Sequence, residues 1–215
     1  MEHTPTRDTL LDAAESLFAE EGIQAASLRA ITRHANANLA AVHYHFGSKE
    51  ALVRAVFARR LEPIKAERRQ LLEAVDLTAD DAVEQVVSAF LSPVLRLLQE
   101  GSDGVRNFAR LMGRAISEPG SEIRTMIKQE LAPELHRFLE ALAVLVPHLD
   151  PSELMWRFHF MAGAMAHTTA CGAMIEEMSQ GRCSPRDSEG TLRYLVTFLA
   201  AGLRAPASTG GEPNA

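Results

Sequence analysis

Apolar side chains recur along this chain every three or four positions, and the recurrence breaks only at short polar or glycine-bearing segments. Leu10, Ala13, Ala14, Leu17 and Phe18 follow the i, i+3, i+4, i+7, i+8 spacing of one helix face. That helix is expected to open at Thr4, with Pro5 at the first position where a missing N–H costs nothing, and to stop at Gly22. Ser27 predicts the cap of a second helix of about two turns with Leu28 and Ile31 inward. After the polar turn Ala35-Asn36-Ala37-Asn38, Asn38 caps a third helix that buries Leu39 and Val42. Gly47 and Ser48 interrupt the pattern, and Leu52, Val56, Phe57 and Leu61 mark a long fourth helix over 49–72.

The second part has the same periodicity. Thr78 and Asp81 read as a capping box ahead of Val83, Val86, Val87, Phe90, Val94 and Leu98, with Pro93 expected to kink that helix. Gly101 and Gly104 predict a turn, a helix follows to Ser117, and Pro119-Gly120 interrupts again. Residues 123–146 contain Pro133 and read as two helices or one bent one. Asp150, Pro151 and Glu153 form a start signal for a helix over 154–178 that is apolar or small on nearly every face. Such a helix needs burial on all sides, against a second subunit as well as its own core. A last helix spans 191–203, and the Pro-, Gly- and Ser-bearing stretch 206–215 is expected to be disordered. With no valine- or isoleucine-rich run between hairpin turns, the fold class is all-α. The divisions expected are a first helical module at 1–48, a connecting helix at 49–72, a second helical module at 73–205, and the tail at 206–215.

Composition narrows the classes. A chain of 215 residues with 47% hydrophobic content can bury a substantial core, yet has no unbroken apolar run long enough to cross a bilayer. Asp12 and Glu15 interrupt the first apolar segment, unlike a signal peptide, so the expected location is the cytoplasm. Cys171 and Cys183 make no disulfide framework and suit a reducing compartment. The net charge of −6 argues at first against nucleic acid, but the charge is unevenly placed. Residues 1–72 hold ten Lys/Arg against nine Asp/Glu, whereas 73–215 hold twelve against nineteen. The stretch 22–49 has no acidic residue and carries Arg29, Arg33, His34, His43, His45 and Lys49, a local cationic face.

Two short helices joined by a four-residue turn and ending in His43-Tyr44-His45-Phe46 have the form of a helix-turn-helix, whose second helix lies in the major groove. In that geometry Ala40, Ala41, His43, Tyr44 and His45 lie exposed or half-exposed between Leu39, Val42 and Phe46. Ala40 and Ala41 permit close approach and contact with thymine methyls. Tyr44 and Lys49 suit phosphate better than bases, Ser27, Arg29 and Arg33 add contacts from the second helix and Asn38 from the cap of the third, and His43 leads as the base reader.

The stretch from Leu10 to Leu52 resembles the DNA-binding domain of the TetR family of bacterial repressors. Ala13-Ala14, Leu17-Phe18, Gly22, Ser27-Leu28, Ile31, Ala35, Tyr44-His45-Phe46 and Ser48-Lys49-Glu50 carry the likeness over about a quarter of the chain. The turn departs from the family pattern of Ala-Gly-Val-Ser/Asn. Asn36 stands where glycine is usual, which is tolerable because asparagine accepts the left-handed conformation, and Ala37 stands where valine would fill more space. The resemblance implies a homodimer whose recognition helices meet successive major grooves of double-stranded DNA, with a small-molecule effector bound by the second part. Phe108 to Leu111, Trp156 to Phe160 with Gly163, and Phe198 to Arg204 are similar to the PsrA-like subgroup, which implies a fatty acid or acyl-CoA effector.

Phe108, Met112, Trp156, Phe160 and Met161 either line such an effector pocket, with Arg110 or Arg114 meeting an anionic head and His159 alongside, or are plain core. His159, His167 and Cys171 are spaced by near-whole turns, so a metal site is conceivable, but no carboxylate joins at a matching spacing and single core histidines are common, so the reading is core and no metal is expected. Gly163, Ala164, Ala166, Ala170, Gly172 and Ala173 suit close helix approach, across a dimer or within the chain. No catalytic or cofactor motif is present: the sequence has no HExxH, nucleophile elbow or phosphate loop. A small helical enzyme and a structural dimer retaining a helix-turn-helix are the competing classes.

Overall fold

The computed structural model describes residues 7–99, 102–117, 122–184 and 187–208. Among them are ten helices and no strand: α1 (Arg7–Glu21), α2 (Leu28–His34), α3 (Leu39–His45), α4 (Lys49–Glu73), α5 (Ala82–Gln99), α6 (Asp103–Ser117), α7 (Glu122–Leu145), α8 (Pro151–Ala170), α9 (Gly172–Met178) and α10 (Ser188–Arg204). They form two compact units, 1–64 with 100–130, and 65–99 with 131–215. The α6 segment thus groups with the first three helices and the first part of α4, and not with α5 that precedes it in sequence. No described helix is long and apolar enough to cross a membrane.

In the first unit α1 buries Leu10, Leu11, Ala14, Leu17 and Phe18, and packs on α2 and α6. Its expected opening at Thr4 and Pro5 lies outside the described residues; it closes at Gly22, which adopts φ +92°. Glu15 is buried on the same helix. Arg60 of α4 grips it with Nε (2.9 Å) and Nη2 (3.1 Å), and Arg59 donates to it and to Asp12. A buried carboxylate needs such partners, because leaving it unpaired in apolar surroundings costs several kcal/mol, of order 3–5. The Phe57 and Phe108 rings meet edge to face, 6.1 Å between centroids.

The second unit closes around Phe90, whose ring meets Phe138 at 5.3 Å and Phe158 at 5.2 Å, with Val86, Leu142, Met161 and Leu199 filling the core around them. Pro63, Pro93 and Pro133 lie inside α4, α5 and α7, which continue through them, so residues 122–145 form one helix. Proline removes the N–H that would pair with the fourth residue back. Near Pro93 the buried Arg68 donates from Nε to the Phe90 carbonyl (2.9 Å) and lies 3.9 Å over the Phe90 ring. Burial lowers its guanidinium pKa to about 10, against the opposing field of Glu134.

Several boundaries differ from expectation. Thr78 does not cap α5: its N–H and hydroxyl both donate to the Asp76 carboxylate (2.9 and 2.7 Å), which holds that carboxyl below its usual range, and the helix begins at Ala82. Gly104 lies inside α6, beneath the Arg60 guanidinium, rather than in a turn. The helix expected over 154–178 breaks at Cys171 (φ −116°, ψ 20°), after the β-branched pair Thr168-Thr169 and before Gly172, all weak helix formers. Its buried residues Leu154, Phe158 and Met161 occupy one side only. Asp187 opens α10 by accepting from the Gly190 N–H (2.9 Å), about a turn before the expected start. At the other end Arg157 donates to the carbonyls of Gly202, Ala205 and Pro206 at 2.7, 2.7 and 2.8 Å. Ser208 then donates to Glu153, so the chain is held through Ser208 rather than released at Pro206; residues 209–215 lie outside the described residues.

Candidate nucleic-acid interface

Local chemistry builds the α2–α3 pair at each joint. The Ser27 hydroxyl accepts from the Ala30 N–H (3.1 Å), and the Asn38 side-chain carbonyl accepts from Ala41 N–H (2.9 Å). Both caps satisfy helix N–H groups with an acceptor and keep their own donors, the Ser27 O–H and the Asn38 NH₂, for an outside acceptor. Between the helices, Asn36 adopts φ +49°, the Ala37 N–H bonds the Thr32 carbonyl (2.7 Å) and the Asn36 N–H bonds that of Arg33 (3.2 Å). That is a Schellman closure with asparagine at the left-handed position. The turn expected from Asn36 therefore forms with the geometry that glycine normally supplies.

At 100° per residue, Leu39, His43, Ala40 and Tyr44 fall at 0°, 40°, 100° and 140° around α3, one continuous arc. All four are exposed, Tyr44 at 86%, while Val42 on the opposite side is fully buried. Ala41 and His45 fall beyond the arc and are half-buried, and the His45 ring lies between those of Tyr44 and Phe46. Leu39, expected in the core, is 38% exposed at the edge of the arc. It opens a helix of only seven residues, in which Val42 already supplies the inward contact. A first-turn position in so short a helix was the signal for its exposure.

Arg29 and Arg33 are exposed on α2. Lys49 reaches back to donate to the Gln24 carbonyl (3.1 Å), tying the α1–α2 connection to the start of α4. His43 is tied as well: its Nδ1 is 3.0 Å from the Gly47 carbonyl oxygen, with Gly47 at φ +80°. That bond has no sequence signature. The assembly thus offers a small, partly apolar face on α3 bordered by cations and hydrogen-bond donors, which suits the floor and walls of a DNA groove.

The residues expected to meet an effector divide between the two units. Phe108 is buried in the first unit, where Arg110 is exposed and Met112 half-buried on the same α6; the side chain of Arg114 is outside the described residues. Trp156, His159 and Phe160 belong to the second unit and are exposed, Trp156 at 59% and Phe160 at 60%. They continue a surface stripe of α8 that includes Met155 and Gly163, and α10, packed on α8, exposes Tyr194 and Phe198. Elsewhere in that unit a groove of about 590 Å³ is lined by Leu71 of α4, Val75 just after it, Ala89 and Ser92 of α5, and Leu192 and Val196 of α10. Glu84 and Arg193 stand at its border. None of these was singled out from sequence as an effector contact, because the groove exists only where three separated segments converge. Among the described residues no three His, Cys, Asp or Glu side chains are grouped to hold a metal ion.

A family model described as "Bacterial regulatory proteins, tetR family" matches residues 10–56, and one described as "Tetracyclin repressor-like, C-terminal domain" matches residues 88–202. The HTH-type transcriptional regulator UidR of Escherichia coli (strain K12) is 36% identical over 87 residues, 40% of this chain and 44% of UidR, so the match spans less than half of that relative's length. Among solved structures, the fatty acid degradation regulator FadR from Bacillus halodurans superposes with a TM-score of 0.68 at 18% identity, over 95% of this chain and 99% of its own. FadR from Bacillus subtilis, solved with stearoyl-CoA, superposes with a TM-score of 0.61 at 16% identity, over 92% and 99%. At these identities the two structures establish the shared fold.

Proposed function

The chain belongs to the TetR family of bacterial transcriptional regulators, and from that premise we propose that it is a repressor that binds a palindromic operator as a homodimer and is released by a small apolar or amphipathic effector. The observation that carries the reading is the exposed arc Leu39, Ala40, His43 and Tyr44 on α3, in a stretch without acidic residues. A lone seven-residue helix reads few bases, so specificity calls for two copies, with half-sites about one helical turn, roughly 34–36 Å, apart. The apolar stripe of α8 beside Tyr194 and Phe198 of α10 supports a two-fold contact between copies, and accounts for Trp156 and Phe160 better than an enclosed pocket does.

The groove between α4, α5 and α10 is the candidate effector site, and its apolar walls favour an aliphatic ligand. The stearoyl-CoA complex of the Bacillus subtilis neighbour supports an acyl effector of the PsrA-like kind. Release follows by linkage: an effector that binds the conformer with mis-spaced recognition helices lowers operator affinity by its preference for that conformer. The connecting helix α4 runs from one unit into the other, as does α7, and both are covalent routes for that coupling.

The test is a titration of palindromes from the chain's own promoter region at ~50 and ~200 mM salt. Sequence-specific binding that weakens steeply with salt is expected, with Tyr44→Ala and Lys49→Ala weakening operator and random DNA alike. Absence of any specific complex at the lower salt refutes a regulator and returns the structural-dimer class. Native mass spectrometry of protein purified from cells tests the effector, where a co-purified acyl chain is expected and a ligand without an aliphatic chain counts against the acyl reading.

A further inference from the structure

The bond between His43 and Gly47 determines more than the pose of a ring. A carbonyl oxygen only accepts, so at 3.0 Å from the Gly47 oxygen Nδ1 carries the proton. A neutral imidazole has one proton on its two nitrogens; with Nδ1 taken, Nε2 holds a lone pair and is purely an acceptor. The acceptor is itself held in place, because the Gly47 N–H donates to the His43 backbone carbonyl (3.0 Å) while Gly47 holds φ +80°. His43 is exposed near the middle of the α3 arc, with Leu39 and Ala40 beside it and neither able to donate from its side chain.

Resting on the reading of α3 as the DNA-reading helix, we propose that His43 recognises an exocyclic amino group in the major groove, N6 of adenine or N4 of cytosine, through the Nε2 lone pair. On the major-groove edge adenine and cytosine present an amino donor, whereas guanine presents N7 and O6 and thymine presents O4 and a methyl group. An acceptor on the protein therefore pairs with the first two and opposes the last two. At the position facing His43 the operator carries adenine or cytosine on the contacted strand. Leu39 and Ala40 next to it add contact with a neighbouring thymine methyl but no hydrogen bond.

The experiment begins with selection of binding sites from a randomised duplex pool by the full-length protein in mildly alkaline buffer. In the selected site each adenine or cytosine of one half is then replaced by its analogue lacking the exocyclic amino group, purine or pyrimidin-2-one. At one position the wild type is expected to lose about 3- to 10-fold in affinity, the range of a single neutral hydrogen bond. His43→Ala is expected to be indifferent to that replacement and to accept all four bases there. Equal loss of binding by His43→Ala to every sequence, or a wild type indifferent to amino removal throughout the half-site, overturns the proposal. Nitrogen-15 shifts of the His43 ring in the free protein test it without a variant: a protonated Nδ1 and a bare Nε2 are expected, and the opposite tautomer overturns it. A pool that yields no enriched sequence refutes the regulator reading itself, whereas enrichment without amino dependence refutes only the role of His43.

Discussion

Replacing Glu15 by glutamine keeps the side-chain shape and removes the negative charge that holds α1 to α4. In the wild type the Glu15 side chain is 2% exposed, and the side chains of Arg59 and Arg60 around it are 23% and 22% exposed. Breaking a fully buried ion pair by changing one partner costs about 3–5 kcal/mol. Both arginines retain some access to water, and Arg59 keeps Asp12 at 2.7 Å, so the expected loss is about 2–3 kcal/mol. The glutamine amide also presents N–H donors to two groups that only donate. Urea unfolding followed by helical circular dichroism should show a lower midpoint with an unchanged slope, and a melting temperature lower by roughly 4–12 °C for a chain of this size. Because the carboxylate is out of water, the difference should persist in ~1 M salt, where exposed charges are screened within about 3 Å. A loss below about 0.5 kcal/mol, or one that disappears in high salt, refutes the reasoning by showing that the cluster behaves as an exposed pair.

Asn36→Ala should destabilise by about 1–2 kcal/mol, since alanine lacks the tolerance for φ +49°, while Asn36→Gly should melt within a degree or two of wild type or above it; equal melting of all three would mean that the turn relaxes. Arg157→Met keeps the stem but removes the donors to four carbonyls in and just after the last turn of α10, and should cost about 1–3 kcal/mol with faster hydrogen exchange confined to that helix end. Hydrogen bonds from Ser208 and Arg157 depress the Glu153 carboxyl to about 2. A carboxylate with a depressed folded pKa contributes stability above its unfolded pKa of about 4.3 and loses it as pH falls toward about 2. The stability gap between wild type and Glu153→Gln should therefore be constant above pH ~5 and close toward pH ~2, and a gap independent of pH would refute the assignment. On the proposal that two copies pair through α8, Phe160→Glu on its exposed stripe should give a monomer in sedimentation equilibrium where the wild type gives a dimer, without loss of helicity, and a variant of unchanged dimer mass would refute that contact.

The helices themselves were legible because their signals are local. Ser27, Asn38 and Asp150 are caps whose side chains reach N–H groups two or three residues on, and the i, i+3, i+4 spacing in α1 marks the residues that become its core. Even the asparagine turn was readable, since one residue's tolerance of positive φ decides it. By itself, then, the sequence determined an all-α chain and a helix-turn-helix with a cationic border. Tertiary structure decided what depends on residues far apart in the chain. It placed α6 with the first helices, set Glu15 between two arginines more than forty positions away, and turned Trp156 and Phe160 outward. Periodicity says that a face is apolar but not what covers it, which is why α8 read as buried all round and proves half bare. The His43–Gly47 bond shows the same limit at short range: four positions separate the partners, yet only the left-handed backbone at Gly47 aims the carbonyl at the ring.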